Sequence, residues 1–296
     1  MTQISGKLSR KILDINSYKL SHSRQGMRFD SDKMRYKILL ATNLFLALAF
    51  GSFAQVKPDT SFQLYILMGQ SNMAGRGPLT ADLKDEGNAR VYMLNKNKEW
   101  VLAKHPLHFD KPRVAGVGPG LAFGIQMEEA NPNDKIGLIP CAVGGTPIEH
   151  WMPGAYDKPT DTHPYDDAVA RIKTAMEYGV IKGVIWHQGE ANSSPEKAQK
   201  YLTQLTELIK RIRVLVGNPE LPFIVGELGR YRPLYANINK ELAKLPSMEP
   251  YTAVASSEGL VHKGDSTHFS SSSAEELGRR FARKMIEVQQ TLKTVQ

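Results

Sequence analysis

Leu64-Tyr65-Ile66-Leu67-Met68 runs without a break into Gly69-Gln70-Ser71-Asn72-Met73-Ala74-Gly75-Arg76-Gly77. The first five residues read as a β-strand, and the glycine-punctuated segment after them as a tight, exposed turn. Working outward, further β-rich runs occur at 135–142, 181–187, 223–227 and 252–255, with the first strand placed at 63–68. Helical spacing appears at 120–130, closed by Asn131-Pro132, and at 168–178, stopped by Gly179. The longest helical pattern, 195–216, carries Leu202, Leu205, Leu208, Ile209, Ile212 and Leu215 on one face and ends at Gly217. The last, 274–292, follows four serines, where Ser272 with Glu275 or Ser273 with Glu276 would form a capping box. Alternation of this kind predicts an α/β fold, a mostly parallel five-stranded sheet with helices on both faces. No Pro/Gly/Ser-rich linker interrupts 55–296, which reads as a single domain.

The 296 residues carry a formal charge of +8, a value that would suit a nucleic-acid partner. Its distribution argues otherwise. Nine of the 38 basic and three of the 30 acidic residues fall in 1–54, which leaves 29 against 27 beyond. The basic excess therefore belongs mostly to a leader, and no nucleic-acid partner is expected. Within that leader, Met34-Arg35-Tyr36-Lys37 is cationic, 38–50 is apolar but short for a bilayer, and Ser52 and Ala54 take the small-residue places of a cleavage site. The reading is a signal peptide at 34–54, with 1–33 an upstream segment outside the functional protein and Met34 a candidate start. The domain at 55–296 is then expected to be secreted or periplasmic, without stable membrane insertion; an uncleaved N-terminal anchor is the alternative. Cys141, the single cysteine, follows an apolar run and is expected to be a small buried residue.

In parallel sheets, chemistry collects beyond the carboxyl ends of the strands. Ser71, Gly144-Gly145-Thr146, Gln188-Gly189-Glu190, Gly229-Arg230-Tyr231 and the Asp265-Ser266-Thr267-His268 segment each follow one of the five expected strands. A serine hydroxyl is a weak nucleophile at neutral pH and needs a base within hydrogen-bond reach. His268, oriented by Asp265 three residues earlier, supplies one. Met73 rules out the Gly-x-Ser-x-Gly elbow, and the absence of Gly-Lys-Ser/Thr rules out a phosphate loop. Backbone N–H groups at Gly144-Gly145 and the Gln188 amide are candidate oxyanion donors. Asn72, Trp151, Glu190 and Arg230 are candidate substrate contacts; Trp151, Tyr156 and Tyr165 offer aromatic faces, and Arg230 or Tyr231 suits a polar or acidic group. Two rivals stand against this: a metallohydrolase built on His262, Asp265, His268 and His187, and a noncatalytic binding protein that uses the same loops to hold its ligand.

GQSNMAGRG (69–77), GGTPIEHW (144–151), WHQGEAN (186–192) and DSTHF (265–269), in this order, resemble the blocks of the SGNH hydrolase superfamily. Within it they look like the carbohydrate acetylesterases of the sialate O-acetylesterase and acetylxylan esterase group. The resemblance spans about 62–290. It implies a three-layer α/β/α, flavodoxin-like sandwich, a carboxylic ester hydrolase acting on acetylated carbohydrates, and no metal or organic cofactor. It also implies Ser71 as nucleophile, Asp265 and His268 completing the triad, and Ser71 N–H, Gly145 N–H and Gln188 as the oxyanion hole. Gln70 stands where the wider superfamily has aspartate, and Gln188 where it has asparagine; both departures fit the carbohydrate-esterase branch.

Overall fold

Period-two alternation along the first strand joins one sheet to two helical layers. The computed structural model describes residues 57–295, with Arg35 before them; the expected upstream and signal segments otherwise lie outside the described residues. Strand β1 (Asp59–Gly69) turns Leu64, Ile66 and Met68 to one face and Tyr65 and Leu67 to the other, all fully buried. The chain continues through α1 (Ser71–Ala74), α2 (Ala81–Asp85), β2 (Val91–Leu94), β3 (Trp100–Leu102), α3 (Gly120–Ala130) and β4 (Lys135–Pro140). It then runs through α4 (Pro164–Met176), β5 (Gly179–His187), α5 (Pro195–Val216), β6 (Phe223–Gly226), α6 (Tyr235–Leu242), α7 (Leu245–Met248), β7 (Thr252–Ala255) and α8 (Ser271–Val295). Helices α4, α5 and α6 cover one face of the sheet, and α3 and α8 the other. This is the three-layer α/β/α arrangement.

The sheet has seven strands in the order β3-β2-β4-β1-β5-β6-β7, parallel except for β3 against β2. The five expected strands are present; β2 and β3 extend the sheet to seven. Both are short, and Val101 and Leu102 on the edge strand β3 are exposed, so neither carries the long apolar run that marks a buried strand. Helix α5 begins and ends where its periodicity predicts, with Gly217 left-handed at its C-cap. Helix α8 starts at Ser271, and Ser270 Oγ accepts the Ser273 N–H, so Ser270 is the capping serine instead of Ser272 or Ser273. Cys141 is buried, which pushes its thiol up to about 12, out of range for a reactive thiolate. No helix among the described residues is long and apolar enough to cross a membrane.

Chain order reverses at β1. Its neighbours are β4 on one side and β5 on the other, so its C-terminal end opens into the crevice where ligands of such sheets bind. Backbone bonds fix that end from both sides: Val143 N–H donates to Gly69 O (3.0 Å) and Gln70 N–H to His187 O (2.9 Å). Gly69 itself has φ +131°, and a Cβ there would collide with the His187 carbonyl. Gly69→Ala is therefore expected to cost about 2–4 kcal/mol through backbone strain and overpacking, read as a lower urea midpoint than wild type.

Candidate active site

Ser71 is the first residue of α1, immediately beyond the β1 tip. Its hydroxyl lies 3.0 Å from His268 Nε2, and His268 Nδ1 lies 2.7 Å from Asp265 Oδ2. The Asp265 carboxylate accepts, so Nδ1 carries the imidazole proton and Nε2 is left free to take one from Ser71. Asp265 Oδ1 also accepts the backbone N–H groups of Thr267 (2.9 Å) and His268 (2.8 Å). Partial burial works against its ionisation, but these N–H groups and the imidazole hold its carboxyl well below the usual carboxylate range. The three-residue spacing thus closes a small turn in which carboxylate and imidazole share one side.

That turn is bolted to the serine segment. Asn72 Nδ2 donates to Thr267 O (3.0 Å) and to Glu190 Oε1 (2.5 Å), while Asn72 Oδ1 accepts the Phe269 N–H (3.1 Å). Asn72 and Glu190, read from sequence as substrate contacts, instead connect three strand-end loops. Glu190 does not reach His268. Its Oε1 sits 3.8 Å from His187 Nδ1, an imidazole that burial keeps neutral.

The oxyanion side contains a correction. Gln188 is fully buried, and its Nε2 faces three acceptors: Gln70 Oε1 (3.1 Å), Thr146 O (3.2 Å) and Asn192 Oδ1 (2.7 Å). Two amide hydrogens are already spent on these, so Gln188 has none to offer a substrate. The polarity of this chain is set at its far end. Asn192 Oδ1 accepts the Ile148 N–H (2.9 Å), and Asn192 Nδ2 donates to Glu149 Oε2 (2.8 Å). A backbone donor and a carboxylate acceptor allow only one orientation of Asn192. Asn192 orients Gln188, and Gln188 then presents Nε2 to Gln70 Oε1. The Gln70 NH₂ is left without a partner among the described residues, in a residue that lines the same pocket as Ser71 and Gly145. Sequence reasoning noted Gln70 only as a departure from a motif; the signal for it lies in hydrogen-bond direction, which spacing does not carry.

Across the pocket, Gly145 has φ +90°, and neither its N–H nor that of Ser71 finds an acceptor among the described residues. The preceding Gly144 N–H donates to Asp110 Oδ2 (2.8 Å), which also pairs with Arg76 Nη2 (2.6 Å). Burial disfavours the Asp110 charge, but Arg76 and the Gly144 N–H outweigh it and lower its pKa. This buried ion pair sets the height of the Gly144-Gly145 turn. The cavity, about 410 Å³, is lined by Gln70, Ser71, Gly145, Lys111, Lys263 and His268, among others.

Other expected contacts lie elsewhere. Trp151 is 0% exposed, edge-on to Trp186 at 5.2 Å and donating to Thr146 Oγ1, so it offers no face to a sugar. Tyr165 is buried beneath Arg211, and Tyr156, though exposed, does not line the Ser71 cavity. Arg230 pairs with Glu227 (2.9 Å) in a separate pocket, and Tyr231 donates to Thr267 O (3.1 Å) as a prop for the histidine turn. His262, Asp265, His268 and His187 do not converge as a metal set among the described residues either. His262 Nδ1 accepts the Gly264 and Ser266 N–H groups, and His187 Nε2 is bonded to Glu227 O.

With this geometry in place, comparison with known proteins is informative. Residues 61–287 match the family model for carbohydrate esterase, sialic acid-specific acetylesterase. A probable carbohydrate esterase of Arabidopsis thaliana is 31% identical over 244 residues, covering 74% of this chain and 88% of the relative. The solved structure of that protein has a TM-score of 0.68 at 29% identity, over 76% of this chain and 98% of its own. NanS (TM-score 0.62, 18% identity, 80% and 99% covered) and a carbohydrate acetylesterase from Xanthomonas citri (0.61, 21%, 76% and 56% covered) share the fold.

Proposed function

The chain belongs to the family of carbohydrate esterases described as sialic acid-specific acetylesterases and is a carboxylic ester hydrolase, and on that premise we propose that it removes O-acetyl groups from sugars through an acetyl-Ser71 intermediate. The observation that carries the reading is the unbroken hydrogen-bond line from Ser71 Oγ through His268 to Asp265. His268 Nε2 takes the hydroxyl proton as Oγ bonds to the acetyl carbon. The carbonyl oxygen becomes an oxyanion facing Ser71 N–H, Gly145 N–H and Gln70 Nε2–H. Collapse breaks the bond between acyl carbon and sugar oxygen, and His268 returns its proton to that oxygen. A water, deprotonated by the same imidazole, attacks the acetyl-serine and releases acetate, with the proton passed back to Ser71. Gln188 and Asn192 act as positioning residues that aim Gln70.

The pocket rim supports an acidic sugar as substrate. Arg76 is neutralised by Asp110 and Lys263 stands 3.8 Å from Asp265, whereas Lys111 has no carboxylate within ion-pair distance among the described residues. A free ammonium beside the acyl site favours a carboxylate-bearing glycan over a neutral xylan chain.

Ser71→Ala is expected to abolish acetate release from an aryl acetate and from acetylated sialosides; rates equal to wild type would remove Ser71 from the mechanism and favour a binding role. Because the Asp265 pKa is depressed, that group stays ionised wherever a histidine titrates. No acid step of the kcat/KM profile should therefore belong to Asp265, and an acid limb that disappears in Asp265→Asn while activity is retained would contradict the assignment. Gln70→Ala should lower kcat about 100- to 1,000-fold with KM little changed. A Gln70→Ala enzyme of full activity, beside an inactive Ser71→Ala, would return the third donor to another group while leaving the serine mechanism intact.

A further inference from the structure

Away from the Ser71 cavity, three segments direct unsatisfied polar atoms at one another. Glu86 closes α2, His105 follows β3, and Glu275 lies in the second turn of α8. One ligand atom from each falls within 4.8 Å of the other two. His105 is only 6% exposed, yet neither of its nitrogens has a hydrogen-bond partner among the described residues. Glu86 Oε2 and Glu275 Oε1 are likewise buried and without a partner. Buried polar atoms are nearly always paired, so an unpartnered imidazole converging with two unpartnered carboxylates calls for a missing partner. None of the three residues lines the Ser71 cavity.

We propose that Glu86, His105 and Glu275 bind one divalent cation of the zinc type, with water as a fourth ligand, and that the cation clasps α2, the segment after β3 and α8 together. An imidazole nitrogen with two carboxylate oxygens is a donor set suited to Zn²⁺, at about 2.0–2.2 Å from each. Tetrahedral ligands at that distance stand roughly 3.4 Å apart, so modest side-chain rotation closes the site. A proton alone accounts for the cluster less well. Burial and the facing Glu86 raise the pKa of Glu275, so the two carboxylates can share a proton, but that leaves both His105 nitrogens unpaired. Protonating His105 instead is opposed by its burial, which lowers its pKa to about 4. Neighbouring charge does not complete the site: Arg279 is engaged with Glu276 (3.0 Å), and Asp82 adds a negative field. A dication takes up one imidazole nitrogen and both carboxylates at once.

The test uses the full-length, untagged chain, stripped with a chelator and titrated with ZnCl₂. One equivalent should bind by calorimetry. The melting temperature should rise by about 5–10 °C at a hundredfold excess over Kd and fall back when EDTA is added. Glu86→Gln and Glu275→Gln should each weaken binding roughly tenfold or more, since even supporting partners of metal ligands are worth that. Without zinc, Glu275→Gln should melt no lower than stripped wild type, because it relieves a like-charge pair; this separates loss of binding from loss of fold. Excess Mg²⁺ should not displace the ion. Absence of a saturable one-equivalent site, a wild-type melting temperature indifferent to zinc, displacement by Mg²⁺, or unchanged affinity in both variants would overturn the proposal.

Discussion

The backbone clamp at the tip of β1 is the constraint on which the site depends. The Gly69-Gln70 link is held between the segment after β4 and the end of β5: Val143 N–H donates to Gly69 O, Gln70 N–H donates to His187 O, and Gly69 has no room for a side chain. At Gly69 the backbone takes φ +131°, which turns the chain out of the sheet, and α1 opens two residues later at Ser71. Ser71 is therefore displayed by backbone geometry and not by its own interactions. The segments that flank it, Gly144-Gly145 and Gln188–Glu190, arrive at the same height because they are the continuations of the two strands that form the clamp.

A second order of control is directional. Hydrogen-bond donors and acceptors must alternate along a buried chain of amides, and one unambiguous group at an end determines every orientation inward. Here the Ile148 N–H and the Glu149 carboxylate set Asn192, Asn192 sets Gln188, and Gln188 sets Gln70. Reversing any one amide would leave like groups facing each other in a region without solvent, at about 1–3 kcal/mol for each unsatisfied group. The loop after β4 and the 3₁₀ turn after β5 thus specify which atom of Gln70 meets the cavity.

What the sequence disclosed, and what it withheld, follows from how far each feature depends on neighbours in the chain. Helix α5 and strands β1 and β7 follow from local periodicity and are legible to within a few residues. The meeting of Ser71 with Asp265 and His268 was legible because strand ends in a parallel sheet share one rim. Strands β2 and β3 were not, since runs of four and three residues are too short to display a period. Trp151 illustrates the opposite error: an aromatic residue in a Pro/Gly-rich stretch resembles a sugar platform, yet Ile148–Trp151 folds inward as a 3₁₀ turn and seals the core against Trp186. Asp110 lies in a loop without periodicity, and only its tertiary contact with Arg76 and Gly144 gives it meaning.

Two clusters of charge in this fold also resolve the cost of burial differently, and the contrast clarifies both. Arg76 and Asp110 form a pair whose side chains are almost wholly buried, and the remaining acceptor capacity of Asp110 Oδ2 is taken by the Gly144 N–H. Burying such a pair is expensive, and removing one partner alone would cost about 3–5 kcal/mol, so the arrangement is better understood as positioning the Gly144-Gly145 turn than as adding stability. Glu86, His105 and Glu275 have the opposite balance: two acidic groups and a neutral imidazole converge with no cationic side chain among them. At Asp110 the chain supplies the balancing cation from its own residues, through Arg76. That it places only Lewis bases at Glu86, His105 and Glu275 is the physical reason to look for a partner from outside the chain.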